Sequence, residues 1–423
     1  MSYRNRELAN LIVVAVLTAL GFASVYIARQ SFVSWTSLWY AGFFFALFLV
    51  AHFVARYTVP NADPYLLPMA AVLTAIGLTE IYRLRPSDAF RQGRWVLIGV
   101  ALFSLTLLLA RRDYRRIEGY KYLFGFAAIV LLALPRLPVF GQEVNGARLW
   151  VHLGSLQFQP GELAKICLIV FLAAYLREKR EVLAQGRLKD VGPLLLIWGV
   201  AMLVLFETKD LGGGLLYFGI FLAMLYIATA RLAYVALGLV LFVAGSAIVW
   251  GRVGRVQERV SIWIDPWPHA HTTGYQITQS LYSIAEGGIG GAGFGHGTVT
   301  TTSGNAIIPY ANTDFIFSVI AQEVGLVGTA AFLLVYMLFA LRGMRIALFA
   351  QDGFSKLLAA GLTFAFALQT FIIVGGILRL IPLTGITLPF VSYGGSSLLA
   401  NFVLLAGLLL VSHRANTARG AVQ

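Results

Sequence analysis

Leu8–Ala28 carries no charged residue over a length sufficient to cross a bilayer, and apolar runs of this kind recur to the end of the chain. They place expected spans at 8–28, 36–55, 65–82, 94–110, 120–135, 162–177, 191–206, 211–229, 232–250, 314–341, 355–378 and 393–412. The fold class that follows is an all-α polytopic membrane protein. A content of 59% hydrophobic and 12% charged residues agrees with it. Met1–Glu7 is short and charged, so Leu8–Ala28 is expected to serve as an uncleaved first span rather than a signal peptide.

An even number of spans puts both termini on one side. With that side cytoplasmic, 19 of the 32 Lys and Arg residues fall on inner segments. Segments 111–121 and 177–189 hold ten of them, so the positive-inside rule favours cytoplasmic termini. Arg83, Arg85, Arg91 and Arg94 run against it. Either the spans near them are misplaced or the outer face needs cations of its own. The net charge of +13 therefore belongs to membrane edges, and nucleic acid is not an expected partner. No soluble segment carries a basic patch interleaved with aromatics. The single Cys167 lies in an apolar run, which rules out an internal disulfide or a cysteine-based metal site. Two long connections, Arg136–Gly161 and Gly251–Thr313, fall on the outer face, and loops of this length generally carry function.

The longer loop ends in Ile307–Phe317, IIPYANTDFIF. Asn312 and Thr313 read as N-cap residues, with Asp314 in the first turn of the next helix. Asp314 is then either an acid that merely starts the helix or a general base kept ionised by the helix N-terminus. Glu162 and Lys165, three apart on one helix face, can pair, either for function or to fix helix packing. Arg148 and Trp150 offer a cation and a stacking plate to an anionic sugar ligand, although Trp150 alone would also suit an interfacial anchor. Lys209 and Asp210 occupy a tight hairpin before Gly212–Gly214, where the glycines suit close helix packing. Arg379 and SYGGSS, Ser392–Ser397, suggest a polar patch at the start of the last span.

Other features read as structural. Glu323 is expected to make a buried hydrogen bond, and Glu286 and Asp265 to be solvated loop acids. The run Gly287–Gly297 lacks the Lys-Ser/Thr and the strand–turn–helix unit of a phosphate loop. His269 and His271 have no third ligand in register, so no metal site is expected there. One base among cations suits sugar transfer from a lipid-linked pyrophosphate. The acceptor hydroxyl would lose its proton to the carboxylate while cations, or a divalent Mg or Mn ion, stabilise the leaving group.

The motifs NGARLW, QPGELAK, KDLGGG, IDPWPHAHTTGYQITQS, GGIGGAGFGHG, NTDFIFSVIAQEVGLVG and LPFVSYGGSS occur in the order found in the SEDS family (shape, elongation, division and sporulation proteins, RodA- and FtsW-like). The resemblance runs from about Tyr65 to His413 and is closer to the RodA branch. It implies a ten-helix SEDS-like core with a large extracytoplasmic loop, 251–313, preceded by a two-helix extension, 1–60, and followed by a cytoplasmic tail, 414–423. It also implies a peptidoglycan glycosyltransferase in the bacterial inner membrane that polymerises lipid II during cell elongation. The implied partners are a class B penicillin-binding protein transpeptidase and other elongation-complex membrane proteins. The family's essential aspartate falls on Asp314, its glutamate and lysine on Glu162 and Lys165, and its tryptophan on Trp150. The resulting candidate site has Asp314 as catalytic base, with Glu162, Lys165, Trp150, Arg148, Lys209, Asp210, Gln279, Ser392 and Ser396 as substrate-binding residues. Two positions depart from the family pattern: Asn312 replaces a common His, and Gly161 a common Ser. A lipid-linked precursor flippase and a non-catalytic scaffold for a transpeptidase are the competing readings, since multiple spans, glycines and intramembrane charges also suit transport.

Overall fold

The computed structural model describes residues 3–30, 35–137, 141–144, 147–153, 156–184, 192–208, 210–298 and 307–420. The first five helices are α1 (Tyr3–Gln30), α2 (Trp35–Thr58), α3 (Leu66–Leu84), α4 (Pro86–Ala110) and α5 (Lys121–Ala133). A small sheet follows, β1 (Gly141–Val144), β2 (Ala147–Leu153) and β3 (Leu156–Phe158). Next come α6 (Pro160–Glu178), α7 (Arg180–Ala184), α8 (Gly192–Glu207), α9 (Leu211–Thr229) and α10 (Leu232–Arg252). The chain ends with α11 (Gly254–Ile264), α12 (Tyr275–Gly287), α13 (Ile316–Phe349), α14 (Gly353–Ile377) and α15 (Gly395–Gly420).

Ten described helices are long and apolar enough to cross a membrane. The other two expected spans are α8, shorter at 16 residues, and α6, which carries Glu162, Lys165, Arg177 and Glu178. The connection from Arg136 to Gly161, read from sequence as a plain loop, holds the antiparallel sheet. Trp150 of β2 stands opposite Gln142 of β1, and Val151 stands opposite Phe158 of β3. At the other extreme, the expected cytoplasmic tail is largely helical, because α15 runs on to Gly420. Asn416 and Thr417 bond there to Asn61 and give the extra turns tertiary support.

At 34 residues α13 would be about 51 Å long if straight, well beyond the roughly 30 Å of a bilayer core. It is not straight. Gly325 adopts φ +64, which breaks the helix into a short segment, 316–324, and a long one. A Cβ at Gly325 would collide with the backbone N of Gly291, so only glycine fits both the torsion and the space. The orphaned backbone groups at the break find partners in the glycine-rich loop. Leu326 N donates to Gly288 O at 2.9 Å, Ala292 N to Gln322 O at 2.9 Å, and Gly293 N to Glu323 O at 3.0 Å. The Glu323 carboxylate then accepts from Gly295 N at 2.8 Å and Gly297 N at 3.2 Å. The backbone N–H groups of this loop are thus spent on the protein's own carboxyl group.

Glu323 is buried and also pairs with Arg83 Nε at 2.6 Å, while Arg83 meets Glu80 at 3.0 Å. Arg91 lies 3.6 Å from Asp88. Two of the four arginines that ran against the charge rule, Arg83 and Arg91, therefore meet carboxylates, and Arg94 lies over the Phe90 ring. Glu286, expected to be a solvated acid, is exposed yet accepts from Gln322 Nε2 at 2.6 Å and Thr298 Oγ1 at 2.8 Å.

The first two helices pack on α3 and α4 through an aromatic group, Phe22, Tyr40 and Tyr82, and through a buried polar knot. Glu7 accepts from Arg4 at 2.6 Å and lies 2.7 Å from His52 Nδ1, and Arg4 also donates to the carbonyls of Ala62 and Asp63. Charges this deep persist only when paired and hydrogen-bonded, and the knot fixes the depth of α1 against the α2–α3 turn.

Candidate active site

Asp314 lies two residues before α13, not in its first turn. The helix begins at Ile316 behind Phe315, which makes no side-chain cap. The sequence expectation fails because the cap residues are engaged elsewhere. Asn312 Nδ2 donates to Asp88 Oδ2 at 3.0 Å, and Thr313 Oγ1 donates to Tyr310 O at 3.0 Å. The turn is also tied to the far end of the chain. Tyr393 N donates to Asn312 O at 2.8 Å, and Ser392 Oγ donates to Thr313 O at 2.7 Å.

This tie makes the segment between α14 and α15 the second wall of the site. Gly385, at φ +76 and exposed, faces the base: a Cβ there would sit 3.3 Å from Asp314 Oδ2. On either side of it, the hydroxyls of Thr384 and Thr387 are buried without a hydrogen-bond partner among the described residues. Gln369 of α14 holds this wall from behind. Its Nε2 donates to Thr387 O at 2.9 Å, and its Oε1 accepts from Lys165 Nζ at 2.6 Å. Lys165 in turn reaches Glu162 at 2.8 Å, so the expected pair exists and its ammonium is buried. Among the described residues two of the three ammonium donors are taken, and the third is open to a ligand.

The electrostatics of Asp314 differ from those expected of a helix N-terminus. Burial pushes its carboxyl up to about 6, against opposing pulls from Arg259 and the Thr313 hydroxyl. Desolvation wins. Asp210 is also raised, first by burial and then by Glu162, while Gly213 N and Arg259 pull it back. Its Oδ1 accepts from Gly213 N at 2.7 Å and thereby N-caps α9, so Asp210 is a helix start. Arg259, on α11, acts on both acids, and its Nη1 donates to Thr384 O at 3.2 Å. Sequence reading missed this residue. The available signal was the helical spacing of Val256, Val260 and Trp263 in GRVQERVSIWI, an amphipathic helix within the long loop.

The other candidates divide by location. Ser392 and Ser396 serve as joints: Ser392 Oγ also accepts from Leu388 N at 2.9 Å, and Ser396 Oγ from Gln159 N at 2.6 Å. Arg379 is not a site cation, since its guanidinium donates to Trp263 O and Ile264 O at the end of α11. Arg148 is exposed and Trp150 half-buried on β2, the strand that packs on α6. Gln279 is half-buried on α12, and among the described residues no hydrogen bond joins it to the Asp314 turn. Lys209 lies outside the described residues. Among the described acids, Glu162 is matched by Lys165 and Asp210 caps a helix. No described group of three or more His, Cys, Asp or Glu side chains could hold a metal.

The profile of the FtsW/RodA/SpoVE cell cycle protein family matches residues 65–417. The peptidoglycan glycosyltransferase RodA of Mycobacterium tuberculosis is 42% identical, over 97% of this chain and 91% of its own. Stage V sporulation protein E of Bacillus subtilis is 32% identical, over 83% of this chain and 97% of its own. Among solved structures, a chain from a peptidoglycan synthase complex that coordinates polymerization and crosslinking superposes with a TM-score of 0.70 at 32% identity. It covers 84% of this chain and 98% of its own. The crystal structure of the Thermus thermophilus rod shape determining protein RodA gives a TM-score of 0.60 at 28% identity, over 84% of this chain and 97% of its own.

Proposed function

The chain belongs to the FtsW/RodA/SpoVE (SEDS) family and is a membrane peptidoglycan glycosyltransferase, and we propose that it polymerises lipid II by inverting transfer with Asp314 as general base. The observation that carries this mechanism is the placement of Asp314, on a turn tied to the α14–α15 segment with open Gly385 facing its carboxyl group. Burial raises that carboxyl to about 6, still ionised at neutral pH yet basic enough to accept a proton, and the wall it faces carries two threonine hydroxyls without a partner among the described residues. The acceptor sugar's 4-hydroxyl would lose its proton to Asp314 as its oxygen bonds to the anomeric carbon of the donor. The bond from that carbon to the diphosphate breaks on the opposite face, so the configuration inverts. Lys165, with its remaining donor, and Arg148 would steady the diphosphate, while Glu162 orients Lys165.

The domain reading follows the helices. Within the region matched by the family profile, α3, α4, α5, α6, α8, α9, α10, α13, α14 and α15 form a ten-helix core, and α1–α2 are an extension docked on it. We place both termini in the cytoplasm, supported by the ten Lys and Arg residues of segments 111–121 and 177–189, of which Arg115, Arg116 and Arg177 gather with Asp113, Glu118 and Asp352 at the end of the bundle opposite Asp314. A class B penicillin-binding protein is the proposed transpeptidase partner, supported by the likeness to a synthase complex that couples polymerization to crosslinking. The test is polymer formation from fluorescent lipid II by the purified protein, alone and with such a partner. Glycan chains that disappear with Asp314→Ala are expected. Chains that persist at the wild-type rate would refute the assignment of the base.

A further inference from the structure

The long loop before Asp314 contains one helix whose placement is over-determined. Arg379 donates from Nε and Nη2 to Trp263 O at 3.2 and 3.0 Å, and from Nη2 to Ile264 O at 2.7 Å. The favour is returned, as Trp263 Nε1 donates to Arg379 O at 2.9 Å. A guanidinium on the last carbonyls of α11 satisfies acceptors that a helix end leaves open, and it complements the helix dipole. Arg379 itself sits at φ +59, a torsion that a non-glycine residue holds only when its surroundings fix it. Both its carbonyl and its guanidinium are engaged by α11, so the torsion and the docking of the helix support each other.

Arg259 lies four residues before Trp263 and therefore on the same helix face. The clamp thus aims Arg259 at the 384–387 wall, where its Nη1 meets Thr384 O at 3.2 Å. The next residue is Gly385, whose open side looks onto Asp314. Gly212, two residues after Asp210, packs on Thr384 and Ile386 as well. One guanidinium is in this way delivered to the meeting point of two acidic turns.

We propose that Arg259 is a positioning residue for glycosyl transfer: α11, clamped by Arg379 and Trp263, presents its guanidinium to the Thr384–Gly385 turn so that this turn, and the Asp314 carboxylate facing it, are held in place for the acceptor. This inference rests on Asp314 being the base. The countervailing pulls on Asp314 agree with it, since Arg259 is the charged group that opposes the effect of burial there. Among the described residues, four other charged groups belong to the elements around the pair. Asp210 of α9 draws on the same guanidinium, Glu162 of α6 is matched by Lys165, Glu258 of α11 is exposed, and Arg379 is spent on the helix end.

The experiment is the pH profile of polymer formation from lipid II by full-length protein with its transpeptidase partner, for the wild type, Arg259→Gln, Arg259→Lys and Arg379→Gln. Loss of an attracting cation typically raises a carboxyl by about one pH unit, so the acidic limb of kcat/KM should move up by roughly that much in Arg259→Gln. Arg259→Lys should bring the limb most of the way back, because the charge is kept while the fork geometry is lost. Arg379→Gln should move the limb in the same direction through a loosened α11. It carries the test if Arg259→Gln does not purify folded. A uniform loss of rate with the limb unmoved, or a rise in KM alone, overturns the proposal and makes Arg259 a structural or ligand-holding residue. A wild-type profile without an acidic limb, or activity that survives Asp314→Ala, would instead overturn the assignment of the base.

Discussion

Replacing Asp314 with asparagine should abolish polymerisation and, at neutral pH, stabilise the protein. The carboxyl is raised from an ordinary 3.8 to about 6 by burial. A raised carboxyl means that the folded state binds its proton more tightly than the unfolded state does. Wild-type stability therefore falls as the pH climbs through the window from about 4 to 6, and the cost is fully present above it. A shift of this size corresponds to about 3 kcal/mol, an upper bound because Asp314 is only half-buried and water relieves part of it. Asparagine does not ionise and keeps the shape. Its gain should thus open between pH 4 and 6, be complete at pH 7.5 and vanish below pH 4. Thermal unfolding of the detergent-solubilised protein across that range, beside lipid II polymerisation at pH 7.5, reads both effects. An inactive Asp314→Asn protein that melts lower than the wild type at pH 7.5 would show that the carboxylate is a structural anchor. Full activity in the same variant would remove it from the mechanism.

Gly385→Ala should slow polymerisation at least tenfold. The new methyl would stand 3.3 Å from Asp314 Oδ2 at φ +76, at a cost of about 1–2 kcal/mol that a thermal melt can check. In the buried triad, Arg83→Gln should destabilise by about 3–5 kcal/mol because it leaves Glu80 and Glu323 without a cation. Glu323→Gln should cost clearly less, since one carboxylate still faces one guanidinium. The order of melting temperatures tests the charge count directly. Lys165→Met removes the bonds to Glu162 and Gln369 and should cut polymerisation more than tenfold while the protein still purifies folded. Unchanged kcat/KM in that variant would detach the α6 pair from catalysis.

Several elements were readable without coordinates because they rest on local rules. Span positions follow from run length, since a bilayer leaves a backbone few ways to satisfy itself. The Glu162–Lys165 pair follows from helical spacing, and Asp314 was singled out by an acid at the edge of an apolar run. The misreadings share a cause. Asn312 and Thr313 have ideal capping side chains, but Asp88 and Tyr310 claim them, and the helix starts later. Ser392 and Ser396 looked like ligand contacts, yet they fasten the wall to residues 79 and 237 positions away. Arg379 looked like a site cation and is a helix clamp.

The sequence by itself determined that this chain crosses a membrane many times and that acids and cations gather at one end of it. Both are properties of runs and spacings a few residues long. The tertiary structure decided what each charge does. Whether Asp314 is stabilised or strained as a carboxylate depends on burial by Gly385's loop and on a guanidinium 55 positions earlier in the chain. Desolvation and Coulomb attraction act through space, so their balance is set only when distant segments meet.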